Sequence, residues 1–342
     1  MSNHIHNIAI VGAGGRSGTH IVSALVSHPR YNNNDSPNAI RLTALTRPSS
    51  ANALPPGLHK IKQIDYTSHS SLVSALTGQE VLIITLNQAS APDAQKRLVD
   101  AAAEAGVTFI IPNEWGYDYG NEVLARETGL GARWGGARAY IEEVSERVCG
   151  GKMKWIGVAC GFWYEFSLAG SPARYGFDLP ARTLTLFDAG DTKIHTSTLE
   201  QVGRGVAALL SLPIHAPPTQ NTTNGSKPGY LEAYANTSIS IASFHLSQRD
   251  MLASILRVTH DSVDDWNLTQ ESSAERYARA AKKWETEEKN PVDWITMMYT
   301  RIFFPDGSGD LGQESLMNDV LGLPAEDLDE ATRRAVEMAR TE

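Results

Sequence analysis

The run Ile8-Ala9-Ile10-Val11, followed at once by Gly12-Ala13-Gly14-Gly15-Arg16-Ser17-Gly18, constrains this chain more than any other stretch. It reads as a strand, a tight glycine turn, and a helix opening at Arg16 and continuing through Ile21, Leu25 and Val26. That is the phosphate-binding corner of a dinucleotide fold. Gly12 lets the backbone turn sharply, Gly15 lets it approach a pyrophosphate without a Cβ, and Gly18 lets helix and strand pack closely. The helix N-terminus then offers N–H groups and a positive dipole end to the phosphates. A glycine-rich turn with no ligand is the bland alternative. The strand before it and the helix after it favour the nucleotide.

The rest of the first half repeats strand and helix. Ile40 to Leu45 predicts a second strand, Ile61 to Tyr66 a third, and Val81 to Leu86 a fourth, continuously apolar as in a sheet buried on both faces. Ala91 to Ala105 has helical spacing, Val107 to Ile111 predicts a fifth strand, Ala137 to Val148 a helix, and Lys154 to Ala159 a sixth strand. Such alternation predicts an α/β fold, a Rossmann-type doubly wound parallel sheet with right-handed crossovers. Beyond Gly161 the pattern is irregular. Ser197-Thr198-Leu199-Glu200 reads as a capping box opening a helix through Leu210, and Ser238 to Phe244 alternates like a strand. With 342 residues, against roughly 150 per domain, the chain divides into a nucleotide-binding domain over 1–160 and a smaller α+β substrate-side domain over 161–342, part of which can return to the sheet.

Composition narrows the partners. A net charge of −9 and the absence of a basic run argue against nucleic acid or an anionic membrane surface. No apolar stretch approaches the ~20 residues of a membrane span, and a strand begins almost at the first residue, so a cytoplasmic protein without a secretory signal is expected. The two cysteines, Cys149 and Cys160, predict buried apolar roles rather than a disulfide. No ligand-spaced His/Cys cluster occurs, so no metal is expected. A small-molecule substrate and a monomer or homodimer are the expected partners.

The end of the second strand chooses the cofactor. An NAD-type fold places Asp or Glu there, for the ribose hydroxyls. Here Arg47 stands instead, followed by Ser49 and Ser50, with Arg16 in the glycine turn. Guanidiniums and hydroxyls suit a 2′-phosphate, so NADP(H) is expected. Asp65, at the end of the third strand, could bind the adenine amino group or cap the helix near Ser68.

Taken together, Gly12-x-x-Gly15-x-x-Gly18, Arg47, and Ile111-Pro112-Asn113-Glu114-Trp115-Gly116 resemble the NmrA-like and isoflavone-reductase-like atypical short-chain dehydrogenases. The last segment is a variant of their Pro-Ser-Glu-Phe-Gly. Arg138-x-x-x-Glu142, the Trp155 to Phe162 strand, and Asp188-Ala189-Gly190-Asp191 with Thr196 to Arg204, similar to the family's hairpin-plus-helix, extend the likeness over about residues 5–260. Overall similarity suggests the branch found around fungal secondary metabolism. The resemblance implies a diphosphate on Gly12, Gly14, Gly15, Ser17 and Gly18, and a 2′-phosphate near Arg16, Arg47 and Ser49. It places a ribose over Leu86-Asn87-Gln88, and a nicotinamide near Pro112-Asn113-Glu114 and Gly161-Phe162.

One departure stands out. Family reductases carry a Lys four residues before that Arg, where this chain has Trp134. No Tyr-x-x-x-Lys pair replaces it: Tyr117, Tyr119 and Tyr140 all lack a Lys four residues on. Tyr117 and Tyr119, in the loop after the fifth strand, are then the best-placed proton donors, with aromatic packing as the competing role for each. Glu114 could simply hold its turn, His195 is expected in a structural or surface role, and Lys193 in solvent. Phe162-Trp163-Tyr164-x-Phe166 would line an apolar substrate pocket with Trp115 and Trp134, or else pack between the domains. Two functions fit. The first is an NADPH-dependent reductase of a lipophilic, aromatic or heterocyclic metabolite, acting on C=C, C=O or C=N. The second is a non-catalytic NADP(H)-binding regulator of the NmrA type. A redox-neutral catalyst using the same pocket is a minor third.

Overall fold

A computed structural model describes residues 3–31, 39–87, 93–131, 136–216, 227–286 and 289–341. Its large sheet contains β1 (Asn7–Val11), β2 (Arg41–Thr46), β3 (Lys60–Gln63), β4 (Val81–Ile84), β5 (Phe109–Ile111), β6 (Lys154–Ala159) and, returning from the second half, β11 (Thr237–Ser240). Their order is β11-β6-β5-β4-β1-β2-β3, and every neighbouring pair is parallel. This is the doubly wound arrangement, whose order reverses between β1 and β4, where such folds bind ligands beyond the strand carboxyl ends.

Alternation along β1 builds two cores. Ile8 and Ile10 pack with Ile21, Leu25, Val202 and Val206 on one side, while Ala9 and Val11 pack with Leu72, Leu98 and Val99 on the other. The first side is covered by α1 (Arg16–Ser27) and α7 (Leu199–Leu209). These helices approach closely at Gly203, where a Cβ would lie 2.4 Å from the His20 carbonyl oxygen. The other side is covered by α2 (His69–Leu76), α3 (Ala94–Ala105) and α5 (Ala137–Cys149), with α4 (Glu122–Glu127) in the connection after β5.

Two three-stranded sheets make up the remainder. One is β12-β10-β7, from Phe244–Leu246, Ile194–Ser197 and Phe162–Trp163; the other is β13-β9-β8, from Asn267–Glu271, Thr183–Phe187 and Phe177–Asp178. They share a third core with α6 (Tyr164–Leu168), α8 (Gln248–Thr259), α10 (Pro291–Arg301) and α11 (Leu328–Ala339), and α9 (Ser273–Trp284) lies alongside α10. Among the described residues no helix is long and apolar enough to cross a membrane.

Three local expectations are corrected. The stretch around Asp188 to Asp191 is not a hairpin, because β9 pairs with β8 and β13 whereas β10 pairs with β7 and β12. Thr198, not Ser197, caps α7, accepting the Gln201 N–H at 2.9 Å. Ser197 is still in β10 and turns its hydroxyl to the Ile241 carbonyl. Ser238 to Phe244 is two strands in two sheets, β11 and β12, rather than one.

Candidate functional site

At the carboxyl end of β1 the glycine turn is packed so tightly that side chains are excluded. Gly12 has φ +83°, and a Cβ there would sit 2.2 Å from the Thr85 carbonyl oxygen. One on Gly18 would sit 2.1 Å from the Gly12 carbonyl oxygen, and one on Gly14 2.6 Å from that of Ala53. The loop after β2 therefore rests against the turn at Gly14, a close approach for which spacing alone gave no reason. Thr85 pins the turn from the β4 side, its hydroxyl donating to the Val11 carbonyl at 2.8 Å. Gly15 precedes α1 without a side-chain cap, and the first turn of α1 contains no acid. Backbone exposed in this way, with a helix dipole behind it, fits a diphosphate.

Arg47, Ser49 and Ser50 are exposed on the loop that follows β2. Arg47 lies close enough to Tyr66 to act on its phenol, although burial dominates and pushes that group up to about 12. Arg16 extends instead to Phe166, its guanidinium carbon 3.9 Å from the ring centroid. The contact ties the start of α1 to α6. Asp65 neither caps a helix nor is buried. Its carboxylate accepts the Thr67 N–H and hydroxyl at 2.8 and 2.7 Å, and Ser68 caps α2.

The segment after β5 is held from below. The Asn113 N–H donates to Gln95 Oε1 at 2.9 Å, its Nδ2 to the Leu86 carbonyl at 3.0 Å, and Trp115 Nε1 to the Ile84 carbonyl at 2.8 Å. Glu114, 2% exposed, meets Arg138 of α5: Nε lies 2.8 Å and Nη2 2.7 Å from the same Oε2. Arg138 Nη2 also reaches Asp118 Oδ1 at 2.9 Å and Ser238 Oγ at 2.8 Å, and Ser238 donates to Asp118 at 2.9 Å. The guanidinium lies over Trp155, 4.6 Å from the ring, and Trp155 in turn donates to Glu142 at 2.8 Å. Gly157 of β6 leaves room for this knot, since its Cβ would fall 2.6 Å from Ser238 Oγ. Burial pushes the Glu114 carboxyl up against the pull of Arg138. Burial also raises Asp118, but the Gly120 N–H, Arg138 and Ser238 outweigh it and hold that carboxyl below its ordinary range. Nothing in the sequence signalled Asp118 or Ser238, which lie 120 residues apart.

Asp118 sits between the two phenols. Tyr117 is buried, and its hydroxyl donates to the His195 carbonyl at 2.8 Å. That bond commits the Tyr117 hydroxyl to a backbone carbonyl. Burial, reinforced by Glu114 and Cys160, raises the Tyr119 phenol and keeps it protonated. Between these residues and Leu124, Ala125, Thr128, Leu130 and Phe162 lies a small cleft.

The aromatic cluster divides. Phe162, 7% exposed, packs edge-on to Tyr117 at 5.2 Å and against Tyr299 at 4.5 Å. Tyr164 is wholly buried and bonded to Thr332 at 2.7 Å, so it belongs to the core and not to a pocket wall. Trp163 and Phe166 are half-buried, 5.9 Å apart, on the side facing Arg16. Gly161, with φ +65°, brings this segment against the His195 carbonyl, 2.3 Å from where its Cβ would be. Trp134 and Gln88 lie outside the described residues; Leu86, Asn87 and Pro112 are at the ends of β4 and β5.

His195 is buried, stacked on His245 at 4.3 Å and 10°, with Asp310 Oδ1 2.9 Å from its Nδ1. These three side chains lie close enough to suggest metal ligands. Parallel rings, however, aim their in-plane lone pairs along parallel lines rather than at one point, and Leu311 N–H already meets Nδ1 at 3.0 Å. The trio fastens the 309–311 loop to β10. Lys193 is exposed, 3.6 Å from Asp250. Burial pushes the Cys160 thiol up to about 12, so it stays protonated.

A doubly wound sheet with a glycine turn at its switch point and a smaller domain over the strand ends defines a Rossmann-type α/β protein of the isoflavone reductase shape. Residues 5–125 match the NmrA-like family. It is 28% identical to the Aspergillus flavus oxidoreductase aprR over 325 residues, 94% of this chain and 96% of that protein. Among solved structures, the leucoanthocyanidin reductase–NADPH complex of Vitis vinifera superimposes with a TM-score of 0.67 at 13% identity, covering 97% of this chain and 99% of that one. The NADPH complex of the Escherichia coli quinone oxidoreductase QOR2 gives 0.60 at 18%, covering 95% and 98%.

Proposed function

We propose that the protein is an NADP(H)-dependent reductase of a small, lipophilic, aromatic or heterocyclic metabolite. The observation that carries this is the side-chain-free turn at Gly12, Gly14 and Gly18, backed by the uncapped, acid-free start of α1 at the switch point of the sheet. The chemistry of that cradle suits a diphosphate, and the relatives named oxidoreductase and the NADPH-bound neighbours support the same reading. Arg47 with Ser49 would hold the 2′-phosphate, and an Arg in place of an acid supports NADP(H) over NAD(H). NADP(H) bound here supplies the hydride.

What the protein itself must do is orient the acceptor, exclude water and deliver a proton. Gln95 and Leu86 fix Asn113, and Arg138 fixes Glu114 and Asp118, so the backbone from 112 to 119 is set before ligands arrive. Preorganisation of this kind is where such sites gain rate. The protonated Tyr119 hydroxyl is the group in this loop that can donate to charge developing on the acceptor, a role worth about 10²–10⁴-fold. Trp163 and the exposed part of Phe166 offer the apolar wall.

A regulator of the NmrA type is the second reading. It is favoured by Trp134 at the family's Lys position and by the commitment of Tyr117 to a backbone carbonyl. Stopped-flow oxidation of NADPH against a panel of quinones and α,β-unsaturated ketones separates the two. A reductase consumes NADPH with at least one class and slows by about 10²-fold in Tyr119→Phe with unchanged NADPH affinity. Tight NADPH binding without turnover on any acceptor supports the regulator.

A further inference from the structure

Asp118 spends its hydrogen bonds on one oxygen. The Gly120 N–H, Arg138 Nη2 and Ser238 Oγ all donate to Oδ1, each at 2.9 Å. Among the described residues Oδ2 accepts no hydrogen bond, and the side chain is 42% exposed. An ionised carboxylate offers acceptor sites on both oxygens, so half of this one is unused. Burial raises the carboxyl, but the three donors outweigh burial and hold it below its ordinary range, so it is ionised at neutral pH. The loop after β5, α5 and β11 together fix one carboxylate and leave one of its oxygens open.

The cleft beside it gives that oxygen a use. Asp118 lines the cleft whereas Arg138, Glu114 and Ser238 do not, and it is the one charged group among the described lining residues. Other polar side chains there are committed: Tyr117 donates to the His195 carbonyl at 2.8 Å, and Thr128 Oγ1 to the Leu124 carbonyl at 2.7 Å. Leu124, Leu130 and Phe162 supply apolar wall. The Asp118 oxygen and the Tyr119 hydroxyl are what remains open to a ligand. The free space is about 10 Å³, room for one small polar group rather than a ring.

Charge decides what that group is. Glu114 and Asp118 carry one negative charge each and Arg138 one positive, which leaves the knot at −1. Glu114 already takes Arg138 through both Nε and Nη2. An anion against apolar wall is poorly solvated unless a cation meets it, and an N–H cation on a carboxylate makes the stronger class of hydrogen bond. A carbonyl or carboxylate brought to the same place would set acceptor against acceptor.

We propose that Asp118 Oδ2 binds a protonated nitrogen of the substrate, so that the preferred substrates are cationic nitrogen heterocycles, an iminium or a ring bearing a protonated amine, whose N–H enters the cleft while the ring stays outside it. This narrows the substrate class of the reductase reading and rests on it.

The test is calorimetric titration at pH 7 of tetrahydroisoquinoline, a protonated amine, and of isochroman, the same bicycle with oxygen in place of the N–H. Both are titrated into wild type and Asp118→Asn, with and without saturating NADP+, and thermal melts establish that the variant is folded. Wild type should prefer the amine by about tenfold or more, the range of a charge-assisted contact. Asp118→Asn should reduce that preference to about twofold or less and leave isochroman affinity within about twofold. Equal affinity of wild type for the two probes, no binding of the amine, or a preference that survives in Asp118→Asn overturns the proposal. Should Asp118→Asn not fold, a crystal structure of wild type with the amine decides instead. A nitrogen within about 3.2 Å of Asp118 Oδ2 supports the proposal, and a nitrogen placed elsewhere overturns it. Failure of wild type to bind NADP+ removes the reductase reading separately, since discrimination between the probes without nucleotide still reports on Asp118.

Discussion

Replacing Arg138 by Ala isolates the energetic weight of the buried knot behind the candidate site. Glu114 is 2% exposed and, among the described residues, its Oε1 has no hydrogen-bond partner and Arg138 is the cation that compensates its charge. Removing one partner of a buried pair costs about 3–5 kcal/mol, because the other charge is left stranded. At ~2.1 cal/mol/K per residue the unfolding entropy of 342 residues is roughly 0.7 kcal/mol/K. The loss therefore corresponds to a drop in Tm of roughly 4–7 °C near neutral pH. Sign and pH window follow from the two carboxyls. Glu114 is raised above its ordinary 4.5 by burial, so its favourable contribution is complete below that pH and is lost as pH rises through the folded value. Asp118 is held below its ordinary 3.8, so its contribution is present above that pH and is lost in acid. Without Arg138, Glu114 is raised further and Asp118 loses an anchor. The variant should then be penalised most at pH 8 and least near pH 5. Differential scanning calorimetry at both values measures this, with Glu114→Gln/Arg138→Met as the partner that recovers much of the loss. A drop below about 1 kcal/mol, or one equal at both pH values, would refute the reasoning that Glu114 is a buried charge held by one guanidinium.

Gly18→Ala should abolish dinucleotide binding and lower stability by about 1–3 kcal/mol, since its Cβ would meet the Gly12 carbonyl at 2.1 Å; calorimetry and thermal melts report the two effects. Arg47→Ala should weaken NADPH binding by about tenfold or more while changing NADH binding less than twofold, measured by titration of both nucleotides. Tyr117→Phe should cost about 1 kcal/mol of stability through the lost bond to the His195 carbonyl and leave the hydride-transfer rate near wild type, unlike Tyr119→Phe; parallel melts and stopped-flow traces of the two variants check this.

The first half of the chain was legible because its signals are local. Ile8 to Val11 is buried on both faces and Gly12, Gly15 and Gly18 obey close-packing rules within a few residues, so strand, turn and helix follow from spacing. Val81 to Ile84 likewise reads as a buried parallel strand because polar residues are absent from it. The second half was legible only in part. Whether β9 and β10 form a hairpin is decided by β13 and β12, strands more than 40 residues away that pair with them instead. The cap at Thr198 shifted by one residue because Ser197 is still paired in a strand, a tertiary override of a local motif. In the site, residue types located Glu114, Tyr117 and Tyr119. The direction of each side chain was set by contacts from distant segments: Ser238 on Asp118, the His195 carbonyl on Tyr117, and Phe166 on Arg16. A cation in a glycine turn suggests phosphate from sequence alone, and only the position of α6 shows that Arg16 can be drawn to an aromatic ring instead.

Titration calorimetry of the wild-type chain with NADPH and with NADH tests the central claim most directly. The account predicts one site per chain, with NADPH bound at least about tenfold more tightly than NADH, a difference of about 1.4 kcal/mol or more. Equal affinities would contradict the role given to Arg47, and no binding of either nucleotide would contradict the reading of the glycine turn itself.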